Sequence, residues 1–221
     1  MRLHLYYGGT FDPVHCGHLA IACAARDQLQ VPVHLLPAAD PPHRAPPGAD
    51  AQQRAQMLAV AIADTPGLLL DRRELDRAAR QPGVPSYSVD TLRELRAVLG
   101  PQTPLAWLVG ADSLLGLPGW HQWEALFGLA HFIVADRPGS PLEQDLPPTL
   151  AAALRDRWAG DAADLLAAPC GRVLRLQAPL REESASAVRH RIAAGGDWRS
   201  LLPDAVADYI ADRGLYGAVA T

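Results

Sequence analysis

Residues 8 to 18 bring phosphate-handling residue types together at one predicted strand-to-helix corner, with the sequence Gly-Gly-Thr-Phe-Asp-Pro-Val-His-Cys-Gly-His. Leu3–Tyr7, before this run, predicts a short strand, and Gly17–Gln30, after it, predicts a helix with one apolar stripe. Gly8 and Gly9 have no Cβ, so the backbone can approach a bulky anion closely. The N–H groups that begin the following helix favour a negative charge in front of them. The corner therefore predicts a phosphate site.

Two histidines, His15 and His18, stand three residues apart where the predicted helix begins, so both can point at one ligand. A phosphate that acts as nucleophile is already an anion near neutral pH and needs little base catalysis. It needs alignment and stabilisation of the charge that develops on the phosphoryl oxygens. We interpret both histidines as catalytic donors or cations that form no covalent intermediate. Asp12 would repel phosphate, so we expect it to form the turn with Pro13.

A second candidate phosphate element lies near the C-terminus, where Ser184, Ser186 and Arg189 enter a predicted helix. Hydroxyls, backbone N–H groups and a guanidinium at this spacing can surround one anion. From residue types alone, an N-cap followed by a solvated arginine is the simpler interpretation. Glu183 directly precedes the element, and an acidic side chain pointing inward would weaken anion binding.

Composition excludes several functional classes. The 221 residues carry a formal net charge of −4, which argues against a broad nucleic-acid surface. Cys16, Cys23 and Cys170 fit no zinc spacing, so we expect reduced thiols. No apolar run approaches the ~18 residues of a membrane span, and the N-terminus enters a strand without a signal-like segment. We therefore predict a cytoplasmic protein that binds no membrane.

Strand-like and helix-like segments alternate along the chain. The predicted strands are Leu3–Tyr7, Val31–Leu36, Leu68–Leu70, Leu105–Val109, His131–Ala135 and Arg172–Leu176. The predicted helices are Gly17–Gln30, Ala51–Ala63, Val89–Leu99, Trp120–Leu129, Leu150–Ala167, Ser186–Ala194 and Pro203–Arg213. This order predicts an α/β fold, a single Rossmann-like doubly wound domain over residues 1–221, whose mostly parallel sheet has helices on both faces. Ligands of such sheets bind beyond the carboxyl ends of the strands.

Further motifs follow the corner in a fixed order. They are Pro41-Pro42-His43-Arg44, Pro85-Ser86-Tyr87-Ser88, Gly110-Ala111-Asp112-Ser113, Trp120-His121 and Ser184-Ala185-Ser186-Ala187-Val188-Arg189. Together with the corner, they resemble the bacterial nicotinate-nucleotide adenylyltransferases of the His-x-Gly-His nucleotidyltransferase superfamily. The resemblance spans residues 3 to 216.

The resemblance implies an enzyme that transfers AMP from ATP to nicotinate mononucleotide, giving deamido-NAD and pyrophosphate. Magnesium would accompany ATP, held mainly by phosphates and water. The implied ATP and phosphate contacts are Gly8, Gly9, Thr10, Phe11, Gly110, Asp112, Ser184, Ser186 and Arg189. The implied nicotinate mononucleotide contacts are Arg44, Tyr87, Ser88, Trp120, His121 and Arg137. Trp120 would stack on the nicotinate ring, and no protein-held metal, nucleic acid or membrane is implied. The protein would be a monomer or homodimer.

Two residues depart from the family pattern. Three alternative functions also stay open. His121 replaces the usual tyrosine, and Glu183 replaces a usual apolar residue. Pantetheine-phosphate adenylyltransferases share the first motif and the serine-arginine element but lack the Tyr87-Ser88 and Trp120-His121 motifs. Asp12 with the two histidines could instead form a metal-hydrolase site. A nucleotide-sensing module without turnover is the third alternative.

Overall fold

The computed structural model describes residues 2–39, 47–136, 142–177 and 183–218. Its strands are β1 (His4–Gly9), β2 (Val33–Pro37), β3 (Leu68–Leu70), β4 (Leu105–Gly110), β5 (His131–Asp136) and β6 (Val173–Gln177). They form one sheet in the order β3-β2-β1-β4-β5-β6, and every neighbouring pair is parallel. This is the doubly wound order, in which the direction of winding reverses between β1 and β4. The predicted α/β fold class is confirmed.

Helices follow most of the strands. They are α1 (Cys16–Leu29), α2 (Ala51–Ile62), α3 (Arg73–Arg80), α4 (Ser88–Leu99), α5 (Ala111–Leu115), α6 (Trp123–Leu126), α7 (Leu142–Asp145), α8 (Pro148–Leu154), α9 (Ala162–Leu166), α10 (Ala185–Ala193) and α11 (Asp204–Asp212). Short 3₁₀ turns span Leu117–Gly119, Arg199–Leu201 and Leu215–Gly217. In the part of the chain that the structure describes, no helix has the length and apolar character needed to cross a bilayer.

Two apolar cores cover the two faces of the sheet. Along β1, Leu5 and Tyr7 belong to the core that includes residues of α1, α2, α10 and α11. Tyr6, between them, belongs to the core that includes residues of α4, α6 and α8. Successive strand residues point to opposite faces, so both faces of this parallel sheet are buried. Because β1 and β4 are parallel neighbours, their carboxyl ends lie at the same edge of the sheet.

Two predicted helices are wrong in their extent. The predicted helix Leu150–Ala167 is divided into α8 and α9, because Trp158 leaves the helix and pairs with Val173 beside β6. Asp161 then restarts the chain as α9, since its carboxylate accepts the N–H groups of Ala163 and Asp164.

The predicted helix Trp120–Leu129 is shortened to α6. Trp120 is extended, with φ −81° and ψ 145°, and Gln122 takes a left-handed φ of 51°. A left-handed residue cannot continue a right-handed helix, so α6 begins only after it. Because Trp120 lies outside the helix, its orientation is set by the chain before α6 and not by helical spacing.

Candidate active site

The glycine corner is packed against the protein's own aromatic rings. A Cβ at Gly8 would lie 2.2 Å from Cζ2 of Trp107, and one at Gly9 would lie 2.9 Å from Cζ of Phe11. Phe11 itself is buried in a left-handed conformation with φ 49°. Contact between the backbone and these rings therefore requires both glycines, whatever ligand lies in front of them.

Asp12 joins three separated parts of the chain. Its buried carboxylate accepts the backbone N–H groups of Gly48 at 2.9 Å and Ala49 at 3.1 Å, and the hydroxyl of Tyr216 at 2.7 Å. The structure has the expected turn at Asp12 and Pro13, and the Asp12 carboxylate in addition anchors the residues before α2 and the C-terminal 3₁₀ turn. The negative charge is thereby surrounded by the chain's own donors.

Arg54 was not among the predicted site residues, yet its guanidinium is almost completely buried on α2. It donates to the backbone carbonyls of Thr10 at 2.6 Å, Ala38 at 2.7 Å, Ala39 at 2.9 Å and Ala49 at 3.2 Å. These bonds tie the corner after β1 to the chain that follows β2. An arginine on an amphipathic helix ordinarily lies in solvent, so nothing in the sequence distinguished this one.

The two histidines are in direct contact at the start of α1. Their ring centroids lie 3.7 Å apart, and His15 is the N-cap residue of the helix. The backbone N–H of His15 donates to Nδ1 of His18 at 3.3 Å. Because Nδ1 is the acceptor, the neutral ring of His18 carries its proton on Nε2. His18 therefore presents an N–H donor from the atom farthest from its own backbone.

His15 is more deeply buried than His18, and its Nδ1 finds no hydrogen-bond partner within the described residues. Burial lowers the pKa of His15 to about 4, against an opposing attraction from the Glu183 carboxylate. His15 is therefore neutral at pH 7 in the free protein. The same attraction shows that the charge of Glu183 acts on the corner, where an acidic side chain is expected to weaken anion binding.

The serine-arginine element reaches the corner through α10. Nη1 of Arg189 donates to the backbone carbonyl of Asp12 at 2.6 Å, and its side chain remains more than one third exposed. Ser184 is the N-cap of α10, since its hydroxyl accepts the N–H of Ala187 at 3.1 Å. Ser184 is therefore an N-cap, as the simpler interpretation of the sequence expected. Arg189 is not merely solvated, as that interpretation also expected, because it is bound to the corner. Ser186 lies beside Arg189, with Oγ 3.5 Å from Nη2.

The residues expected to hold the pyridine ring cluster around the start of α4. Tyr87 is the N-cap of α4 and Ser88 is its first residue. The rings of Tyr87 and His121 stack with centroids 4.3 Å apart, and Trp120 packs half-buried against the core on that face of the sheet. The structure therefore brings the rings of Tyr87 and His121 into contact, with Ser88 next to Tyr87 in the chain.

Gly110 ends β4, beside the carboxyl end of β1, and is the N-cap of α5. Asp112 lies exposed in the first turn of that helix. Arg44 and Arg137, also predicted as contacts, lie outside the described residues.

Comparison with known proteins identifies the family. Residues 6–191 match the family described as cytidylyltransferase-like. A Stenotrophomonas maltophilia protein named "Probable nicotinate-nucleotide adenylyltransferase" is 71% identical over 216 residues, covering 98% of this chain and 97% of the relative. The chain belongs to the nicotinate-nucleotide adenylyltransferase family. A Xylella fastidiosa relative of the same name is 50% identical and covers 97% of this chain and 96% of its own length.

Solved structures of nicotinic acid mononucleotide adenylyltransferase from Plasmodium falciparum have the same fold. The structure complexed with NaAD matches with a TM-score of 0.71 at 16% identity, and the match covers 100% of both chains. A second, complexed with APC, gives a TM-score of 0.69 with the same coverage and identity. The doubly wound arrangement of the nicotinate-nucleotide adenylyltransferase family is thus shared across a large sequence distance.

For this member of the nicotinate-nucleotide adenylyltransferase family, we expect acid to destabilise the fold partly through His15. Its pKa is about 4 when folded and about 6.5 when unfolded, so unfolding takes up a proton between these values. The free energy of unfolding therefore falls as pH drops from about 6.5 to about 4. His15→Gln should reduce this proton uptake at pH 5 by up to about one proton.

Urea unfolding of the wild type and of His15→Gln at a series of pH values measures the difference between their pH slopes. Burial also lowers the pKa values of His4, His34 and His131. These three residues are common to both proteins, so the difference isolates His15. Identical pH slopes for the two proteins would contradict the buried neutral state of His15.

Arg189→Ala should lower kcat/KM for ATP by about 10- to 100-fold, because a hydrogen bond to a charged group contributes about 1.5–3 kcal/mol. Arg189→Lys should recover part of the loss, since its ammonium lacks the planar fork. Arg191→Ala is the matched control, because Arg191 lies on the same helix and donates instead to the carbonyl of Asp197. Wild-type kcat/KM in Arg189→Ala would assign Arg189 to a purely structural role.

Proposed function

We propose that this protein transfers AMP from ATP to nicotinate mononucleotide, giving nicotinate adenine dinucleotide (deamido-NAD) and pyrophosphate. The observation that carries the proposal is the 2.6 Å bond between Arg189 and the carbonyl of Asp12, because it holds the serine-arginine element against the histidine corner. This contact supports one shared site for the two phosphate elements predicted from opposite ends of the sequence. The names of the close relatives support the same reaction.

The reaction is a displacement at phosphorus. A phosphate oxygen of the mononucleotide forms a bond to the α-phosphorus of ATP, and the bond from that phosphorus to the oxygen bridging to the β-phosphate breaks. The electron pair leaves with pyrophosphate. We infer that Nε2–H of His18 donates to the phosphoryl oxygens on which charge develops, with the N–H groups at the start of α1 beside it. Arg189 stabilises the leaving pyrophosphate.

The proposed phosphate contacts also include Gly8, Gly9, Thr10 and Phe11 through the corner, and Ser184 and Ser186 through α10. Magnesium enters as the complex of Mg²⁺ with ATP. The Asp12 carboxylate already accepts three hydrogen bonds from the chain, which supports an ion held by phosphates and water and not by this side chain. Gly110, at the end of β4, and Asp112, in the first turn of α5, are proposed contacts to a ribose.

The nicotinate moiety is proposed to lie at the start of α4. The first N–H groups of that helix receive no side-chain cap from Tyr87, so a carboxylate of the ligand can accept from them. Tyr87 and His121 supply a stacked aromatic pair beside Ser88, and Trp120 supplies a further ring surface. Arg44 and Arg137 remain proposed contacts to the mononucleotide.

The metal-hydrolase alternative is disfavoured by the orientation of Asp12. Its carboxylate binds Gly48, Ala49 and Tyr216, whereas the two histidines contact each other. Across residues 2–39, 47–136, 142–177 and 183–218, no group of three histidine, cysteine or acidic side chains is arranged to bind a metal. The nucleotide-sensing alternative differs from the proposal in having no turnover.

Pyrophosphate release tests these alternatives together. Purified protein is incubated with Mg²⁺, ATP and one acceptor at a time, namely nicotinate mononucleotide, nicotinamide mononucleotide, phosphopantetheine or flavin mononucleotide. Release that depends on nicotinate mononucleotide is the expected result. Release with phosphopantetheine alone would point to the related pantetheine-phosphate enzymes, and no release with any acceptor would favour a sensing module. A single domain, a cytoplasmic location and a monomeric or homodimeric state remain predictions.

A further inference from the structure

Glu74, on α3, is a buried carboxylate that lies outside the phosphate corner. Its side chain is only 4% exposed. It accepts the hydroxyl of Thr91 at 2.6 Å, and also the hydroxyl of Ser86 and the backbone N–H of Ala39. Three donors from two segments of the chain, residues 86–91 at the start of α4 and Ala39 after β2, therefore converge on one side chain.

Arg77, one turn after Glu74, completes the cluster. Its Nη2 donates to Oγ of Ser86 at 2.7 Å and to Oγ1 of Thr91 at 2.7 Å. Its Nη1 donates to Glu94 at 2.9 Å, and its guanidinium lies 3.9 Å from the Glu74 carboxylate. Each hydroxyl thus receives a hydrogen bond from Arg77 and donates one to Glu74. The four polar side chains at the centre satisfy one another, as a buried network must to avoid a large desolvation cost.

The network joins the start of α4, where the mononucleotide site is proposed, to the chain that follows β2. Ser86 directly precedes Tyr87, and Thr91 lies in the first turns of α4. Ala39 follows β2, and its carbonyl accepts from the buried Arg54, which also binds the corner at Thr10. Glu74 therefore fixes the start of α4 relative to the chain that leaves β2.

A buried polar network is an expensive way to hold two segments together, since well-packed apolar side chains often do so at equal or greater stability. What hydrogen bonds add is direction, because each donor and acceptor must keep one orientation. We propose that Glu74, Arg77 and Thr91 are positioning residues that set the uncapped start of α4 in the orientation that receives the carboxylate of nicotinate mononucleotide. This inference rests on the proposed function and names residues that do not touch substrate.

Thr91→Val tests the network, because it removes one hydroxyl and keeps the side-chain volume. Glu74 then loses a donor and Arg77 an acceptor, so KM for nicotinate mononucleotide should rise by about tenfold. KM for ATP and kcat at saturating mononucleotide should stay within about twofold, because the phosphate corner is unchanged. Thr91→Ser restores the hydroxyl and should return KM to near the wild-type value.

Thr103→Val is the matched control. The hydroxyl of Thr103 donates to the carbonyl of Leu99 at 2.7 Å. Leu99 is the last residue of α4, at the opposite end of that helix from Thr91. The variant should alter thermal stability without altering KM for either substrate. Ser86→Ala gives a second, milder variant, expected to raise KM for the mononucleotide in the same direction.

The outcomes separate the two proposals. If the wild type uses nicotinate mononucleotide but Thr91→Val and Ser86→Ala retain its KM, the positioning role is wrong and the proposed function stands. Equal increases in KM for ATP and for the mononucleotide would also overturn it, because they would indicate general loss of structure. If the wild type does not use nicotinate mononucleotide, the proposed function fails first.

Discussion

His18→Ala is expected to lower kcat by about 10²- to 10⁴-fold, the range associated with loss of a preorganised donor to a developing phosphoryl charge. The hydrogen bond from the His15 backbone to Nδ1 fixes the proton of the neutral ring on Nε2. Alanine removes this donor together with the Nδ1 atom that accepts the backbone N–H of His15. Steady-state kinetics with ATP and nicotinate mononucleotide measures the change, and circular dichroism checks the fold.

His4→Ala is the matched control, because His4 lies at the opposite end of β1 from the corner. It should keep kcat within a few-fold of wild type. His15→Ala should resemble His18→Ala, and the double variant should lose less than the product of the two, since the rings are in contact and serve one phosphate cluster. A folded His18→Ala protein with near-wild-type kcat would remove His18 from the mechanism.

The second large effect is discrimination between acid and amide. We expect kcat/KM for nicotinate mononucleotide to exceed that for nicotinamide mononucleotide by at least ~100-fold, because a site built from hydrogen-bond donors rejects an analogue that brings donors of its own. The uncapped N–H groups at the start of α4 offer such donors. The amide would place its NH₂ group against them, whereas the carboxylate accepts from them.

Trp120→Ala separates stacking from charge recognition. It should raise KM for both mononucleotides and leave their kcat/KM ratio largely unchanged, since stacking does not distinguish a carboxylate from a carboxamide. Parallel assays with the two mononucleotides give both ratios. Near-equal use of acid and amide by the wild type would overturn the substrate assignment, although adenylyl transfer itself would stand.

The fold was predictable because buried parallel strands appear in the sequence as short apolar runs, and amphipathic helices as apolar residues at helical spacing. All six strands were predicted close to their observed positions, as were α1, α2, α4, α10 and α11. Helix α3 was missed because only Glu74 and Leu75 are buried on it, so it has no apolar stripe to detect. One continuous helix was predicted in place of α8 and α9 because the stretch is rich in alanine and leucine, which favour a helix. The sequence does not show that Trp158 pairs with β6 and interrupts it.

The site was predictable where a motif keeps its residues close in sequence. The histidine pair is an example, since a spacing of three on a helix fixes its geometry. The long-range contacts of Asp12 and Arg54 could not be predicted, because tertiary folding brings in their partners, such as Tyr216 for Asp12 and Ala38 for Arg54. The partners of Glu74 are likewise distant in sequence, and only the folded chain shows that a polar helix has a buried carboxylate.

The most direct test of the account uses ATP radiolabelled at its α-phosphorus together with nicotinate mononucleotide and Mg²⁺, with products separated and identified by mass. The label should appear in nicotinate adenine dinucleotide in step with the release of unlabelled pyrophosphate, and this transfer should fall by about 10²- to 10⁴-fold in His18→Ala. Label recovered as free AMP or ADP, with none in the dinucleotide, would contradict adenylyl transfer at this corner.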